Sequence, residues 1–119
     1  MELKIFEHNH HKVAQIVAEG VVINTMADAL DIIANANYQE AMGLIVSEQN
    51  LDGDFFDLST GLAGDILQKC ANYRMKLAIV GDFDKFQSKS FKAFMVECNR
   101  GKAVFFMPDE ETALSKITQ

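Results

Sequence analysis

Three groups of residues carry types that could do chemistry. The first is an imidazole cluster, His8, His10 and His11. Imidazole suits transition metals, and in a strand or hairpin His8 and His10 would point the same way. No cysteine or carboxylate pair stands beside them at metal-ligand spacing, so the cluster reads first as a solvated hairpin tip. The second group is acidic: Glu48, Asp52, Asp54, Asp57, Asp82 and Asp84. Carboxylates that converge at one end of a sheet can hold magnesium or raise one another's pKa values for acid-base work. The bland alternative is loop acids that are solvated or that cap turns. The sequence has no glycine-rich phosphate loop, Walker pattern or nucleophile elbow. No residue is therefore assigned as catalytic, and no metal ligand or cofactor is assigned.

The third group is the stretch Asp57-Leu58-Ser59-Thr60-Gly61-Leu62-Ala63-Gly64-Asp65. It leads into an apolar repeat of helical spacing, and Ser59 or Thr60 is a good N-cap. The first turn of such a helix offers free N–H groups and the positive end of a dipole. A phosphate is tolerated there, whether it belongs to a ligand or is attached to a hydroxyl. Added charge at that place is expected to disturb the fold little. Gly61 and Gly64 would let a partner approach the backbone closely; on the bland reading they allow tight helix–sheet packing. The candidate binding residues are Asp57, Ser59, Thr60, Gly61, Gly64 and Asp82.

The elements that must position these residues follow from periodicity. Residues 2–7 alternate with period two and predict a half-buried strand. The run from Lys12 to Val17 predicts its hairpin partner, with a further short strand near Val21-Val22-Ile23. Thr25 and Asp28 form a capping-box signal ahead of a helix from Met26 to Ala36. Gly43 to Val46 and Lys76 to Val80 are continuous apolar runs, as in strands buried on both faces. Leu62, Ile66, Leu67, Cys70 and Tyr73 mark a second helix. Ser88 caps a third helix that carries Phe91, Phe94, Met95 and Cys98 and stops at Gly101. Ala103 to Met107 is the last strand, and Asp109 caps a short final helix. The order β-β-α-β-α-β-α-β-α predicts an α/β fold, with a four- or five-stranded mostly parallel sheet and helices packed on it. The functional loops of such a sheet lie outside the carboxyl ends of its strands.

The bulk properties bound the rest. At 119 residues, 49% hydrophobic and 24% charged, the chain is expected to form a single domain over residues 1–119. The net charge of −6 argues against nucleic acid or an anionic membrane as a partner. Lys85, Lys89 and Lys92 are interleaved with Phe86 and Phe91 and read as a solvated helix face. Cys70 and Cys98 make no disulfide framework and are expected to be free and largely buried. The start MELKIFEH is too short and too charged for a signal peptide, and no stretch is apolar for the length of a membrane span. The expectation is a cytoplasmic protein.

At Ser59-Thr60-Gly61-Leu62 the element order resembles the STAS domain of bacterial anti-sigma-factor antagonists. Those domains carry an Asp-Ser-Ser-Gly-Leu type motif at the start of their second helix. Here Leu58 stands where that family has its Asp. The resemblance implies a STAS-like fold and regulation through protein contact at this loop. A longer match in wording is to a bacterial family of domains of unknown function, the one numbered 4180. It covers FFDLSTGLAGDILQKCANYRMKLAIVGDF and SKSFKAFMVECNRG, with Phe55, Phe56, Asn72, Tyr73 and Asn99 in the pattern. It implies bacterial origin and a STAS-like fold. Phe55, Phe56 and Tyr73 read as core or rim packing, and Asn72 and Asn99 as helix-end residues. The leading expectation is a non-enzymatic binding or regulatory module acting through protein contact. The alternatives are a small-ligand or anion-binding protein at the same helix start, and a magnesium-dependent enzyme using the strand-end acids. A partner protein and a second copy of the chain both stand as partner classes.

Overall fold

Alternating patterns near the amino terminus and continuous apolar runs further on produce one sheet with two kinds of strand. The computed structural model describes residues 1–119. Strands β1 (Glu2–His8) and β2 (His11–Val17) form a hairpin with His8 paired to His11. Its two-residue turn, Asn9 and His10, has φ of 51° and 67°. Positive φ at both central residues matches the right-handed twist of the strands. His10 thus lies in the turn of the hairpin rather than in a strand.

Helix α1 (Met26–Tyr38) begins at the expected capping box. The Asp28 N–H donates to Thr25 Oγ1 at 3.3 Å, and the Thr25 N–H donates to Asp28 Oδ2 at 3.2 Å. The remaining elements are β3 (Gly43–Ser47), α2 (Leu62–Asn72), β4 (Lys76–Val80), α3 (Lys89–Arg100), β5 (Val104–Met107) and α4 (Glu110–Ile117). Ser88 caps α3 by accepting from Phe91 N–H, and Asp109 caps α4 by accepting from Thr112 N–H at 2.7 Å. The segment near Ile23 makes only a single bridge, to Leu51.

The sheet order is β1-β2-β3-β4-β5. Only β1 runs antiparallel, and the β2–β3, β3–β4 and β4–β5 pairs are parallel. The expected mostly parallel α/β fold is the one observed, with five strands and four helices. Because each parallel strand buries both faces, the core is split. One layer joins Leu44, Val46, Leu77, Ile79 and Phe106 to Ile33 of α1, Ile66 and Cys70 of α2, and Phe91 of α3. The other joins Val13, Ile45, Ala78, Phe105 and Met107 to Ala113 and Ile117 of α4. Both cysteines are free; Cys70 is buried, but Cys98 is only half-buried, on a helix whose one fully buried residue is Phe91. Burial pushes the Cys70 thiol up to about 12. Burial, and then the charge of Glu97, raises the Cys98 thiol.

Candidate functional site

The parallel strands β3 and β4 deliver two loops to the same end of the sheet: residues 48–61, leading into α2, and residues 81–88, leading into α3. The first loop is not irregular. It is three successive 3₁₀ turns, Glu48–Asn50, Gly53–Phe56 and Leu58–Thr60. Two buried groups hold them. Asn50 donates from its carboxamide to the carbonyls of Ala18 and Gly20, at 3.0 and 2.9 Å, and its Oδ1 accepts from Ser47 N–H. Its own carbonyl accepts from Val22 and Ile23 N–H. Phe55 and Phe56 are buried, and Phe56 stacks on Phe86 of the second loop with ring centroids 4.3 Å apart. Phe86 in turn lies near Phe91 and Phe83, and Phe83 packs edge-on against Phe106. The two loops are thereby fastened to each other as well as to the sheet. Glu48 bridges them with an ion pair to Lys85. That pair depends on Gly81, where a Cβ atom would collide with the Glu48 side chain.

On this base sits the turn that the sequence singles out. Asp57 Oδ1 accepts from Ser59 Oγ at 2.6 Å and from Ser59 N–H at 3.0 Å. The Ser59 hydroxyl, and then the Ser59 amide, hold the Asp57 carboxyl below its ordinary value of 3.8. Thr60 Oγ1 lies 2.6 Å from the Asp54 carbonyl and 2.9 Å from the Asp57 carbonyl, and it accepts from Leu62 N–H at 3.3 Å. Asp57, Ser59, Thr60, Gly61 and Gly64 are all exposed, while Leu62 and Ala63 between the glycines are buried. The result is a pre-ordered polar knuckle with an apolar underside.

Several expectations change in detail. Neither Ser59 nor Thr60 is the N-cap of α2. That position is Gly61, at φ 80°, because the preceding 3₁₀ turn needs a left-handed residue to redirect the chain into the helix. The hydroxyls instead close the turn before it. Gly61 and Gly64 do not serve tight packing either, since a Cβ atom at each would meet nothing within 4 Å. Asp82 lies on the other loop, where its carboxylate accepts from Asp84 N–H at 3.1 Å. No hydrogen bond joins Asp82 to the Asp57–Gly61 knuckle. The acids do not converge: Glu48 pairs with Lys85, Asp52 accepts from Asp54 N–H, and Asp57 from Ser59. No three His, Cys, Asp or Glu side chains stand close enough to share a cation.

Three contributors escaped the sequence reading. Asn50 and Phe86 hold the site from below, and Asn99, expected as a helix-end residue, works on the sheet. Its Oδ1 accepts from Phe106 N–H at 2.7 Å, and its Nδ2 donates to the Phe106 carbonyl at 3.3 Å. A concavity of about 240 Å³ also opens at the carboxyl ends of the strands, on the α4 side. Gln15, Ser47, Gln49 and Glu110 give it polar walls, over a floor that includes Ile45 and Val80. No helix of the chain is long and apolar enough to cross a membrane.

Residues 8–117 match the family described as Domain of unknown function (DUF4180), and the chain belongs to that family. No curated protein and no solved structure matches the chain.

Proposed function

We propose that this family member is a non-enzymatic binding module that acts through protein contact at the Asp57–Gly61 knuckle. One observation carries the reading. The exposed side chains of the knuckle are already ordered by their own hydrogen bonds, on a turn anchored by buried Phe55 and Phe56. A surface ordered before contact loses little entropy on docking. The chemistry of the acids points the same way. Asp57 is held in its charged form and is poorly placed to act as a general acid. The place of Ser59-Thr60-Gly61-Leu62 after β3 and before α2 resembles that of the STAS motif, which supports contact at this loop in a STAS-like regulator. Asp82, on the neighbouring loop, is a candidate for the rim of the same contact.

The structure changes what modification here would mean. Ser59 Oγ lies 2.6 Å from Asp57 Oδ1. A phosphate on Ser59 would face that carboxylate, and the like charges would open the turn. Modification is therefore a way to dismantle the knuckle rather than to decorate it. The test compares wild type with Ser59→Asp and Gly61→Ala in recovery of native partners from the source cell, with melting curves beside them. The expected result is loss of the same partner from both variants while each still unfolds cooperatively. Identical partner lists in all three would sink the reading.

A small-ligand reading is favoured by the concavity beside α4, and not by the helix start first considered for it. Its one charged wall residue is Glu110, so the fitting ligand is a small amine or other hydrogen-bond donor. Chemical-shift changes at Gln15 and Ser47 with a panel of amines, absent in Glu110→Gln, would promote it over protein contact.

A further inference from the structure

The two edges of the sheet are treated in opposite ways. At the β5 edge, the outward N–H and C=O of Phe106 are both taken by the carboxamide of Asn99, which stands where a neighbouring strand would. Pro108, just beyond, has no N–H to offer. At the other edge, β1 runs for seven residues with β2 as its only neighbour. The direction of its free groups follows from the hairpin. Lys12 gives its carbonyl to Met42 N–H, toward β3. Its antiparallel partner Glu7 therefore faces away from β2, and by alternation so do Ile5 and Leu3. No turn, loop or cap of the chain hydrogen-bonds those groups, and long open edges recruit strands.

We propose that β1 pairs antiparallel with β1 of a second copy of this chain, about a two-fold axis at Ile5, to give one continuous sheet across the dimer. The sequence of the strand is self-complementary in that register. Glu2 falls opposite His8 of the other copy, Leu3 opposite Glu7, Lys4 opposite Phe6, and Ile5 opposite Ile5. All seven residues are paired and no like charges are opposed. Moving the axis to Lys4 sets Lys4 against Lys4, which repels, and moving it to Phe6 leaves Glu2 and Leu3 of each strand unpaired. Lys4 already lies over the Phe6 ring within its own strand, at 5.7 Å from the centroid, so the cross-strand contact continues an existing one. Leu3 and Ile5 are half-buried on the helical face, and pairing covers what remains. Exposed apolar side chains gather at this end of the sheet, Met1 at 65% and Val17 at 46%. An isologous contact of this kind closes on itself and makes no fibre.

The test is mass in solution by size exclusion with light scattering. Wild type is expected at twice the 13.3 kDa chain mass. Glu7→Pro removes an outward N–H at an exposed position that makes no bond to β2, and is expected to halve the mass while the chain still unfolds cooperatively, at a melting temperature lowered by the lost association. Ile5→Cys is expected to give a covalent dimer with a short thiol-to-thiol crosslinker, with the link placed at position 5 by mass spectrometry. Wild type at single-chain mass overturns self-pairing and leaves the edge to a strand of another protein. A Glu7→Pro variant that stays dimeric places the contact elsewhere, and an Ile5→Cys variant that dimerises without linking overturns the register. The outcome is independent of the knuckle, which lies on a different part of the fold.

Discussion

The Thr60 hydroxyl ties three successive elements together through the Asp54 and Asp57 carbonyls and the Leu62 amide, whereas the Ser59 hydroxyl reaches only the Asp57 carboxylate. Thr60→Ala should therefore cost about 1 kcal/mol in a urea melt, and Ser59→Ala less, because the Ser59 amide still holds Asp57. Equal losses would mean that the two hydroxyls share one role. Asp57 also sets a pH dependence. Its carboxyl is held below 3.8 in the fold by hydrogen bonds that the unfolded chain lacks. The stabilisation is thus complete above the ordinary value and is lost as the pH falls through the lowered one. A carboxyl-carbon NMR titration should give an Asp57 midpoint below 3.8, and Ser59→Ala should move it upward. At this scale the sequence was readable wherever a bond spans two or three residues. Thr25 with Asp28, Ser88 with Phe91 and Asp109 with Thr112 were all visible as caps. Gly61 as the N-cap was not, because the choice depends on a 3₁₀ turn whose formation the pattern of hydroxyls does not announce.

Strands and helices declared themselves through period, and continuous apolar runs identified β3 and β4 because a parallel strand has no wet face. The stretch after β3 was harder. Its three short turns have no period of their own, and they are held by Asn50, whose partners Ala18 and Gly20 lie some thirty residues earlier. An asparagine in a polar loop looks like any other until the sheet brings those carbonyls to it. The same holds for Asn99, which closes an edge that exists only once β5 has docked. These two kinds of position give a matched prediction. Ile79, fully buried in β4, should cost about 2–5 kcal/mol when truncated to Ala. Asn50→Ala should cost about 1–3 kcal/mol through the buried carbonyls it abandons. Its loss should also raise amide exchange over 48–56 while leaving the β4 amides protected. Uniform exchange across the chain in Asn50→Ala would show that the loop has no separate anchor.

Taken as a whole, the molecule covers one face of its sheet with three helices and the other with α4 alone. Val13, Ile45, Ala78, Phe105 and Met107 depend for their burial on an eight-residue helix, through Ala113 and Ile117. A helix that short does not persist by itself in water, so docking must hold it. The sheet and α4 should accordingly melt together, in one cooperative transition with an enthalpy of about 80 kcal/mol at about 60 °C for a chain of this length. The decisive variant is Ala113→Asp, which forces a carboxylate without a partner into a fully buried position. It should abolish the cooperative transition and expose apolar surface that a dye such as ANS detects. Ser115→Asp, on the exposed side of the same helix, should shift stability by no more than about 0.5 kcal/mol. If Ala113→Asp instead loses only α4 and keeps a sharp melt for the rest, the three-helix face is a folding unit of its own, and residues 1–119 are not one cooperative domain.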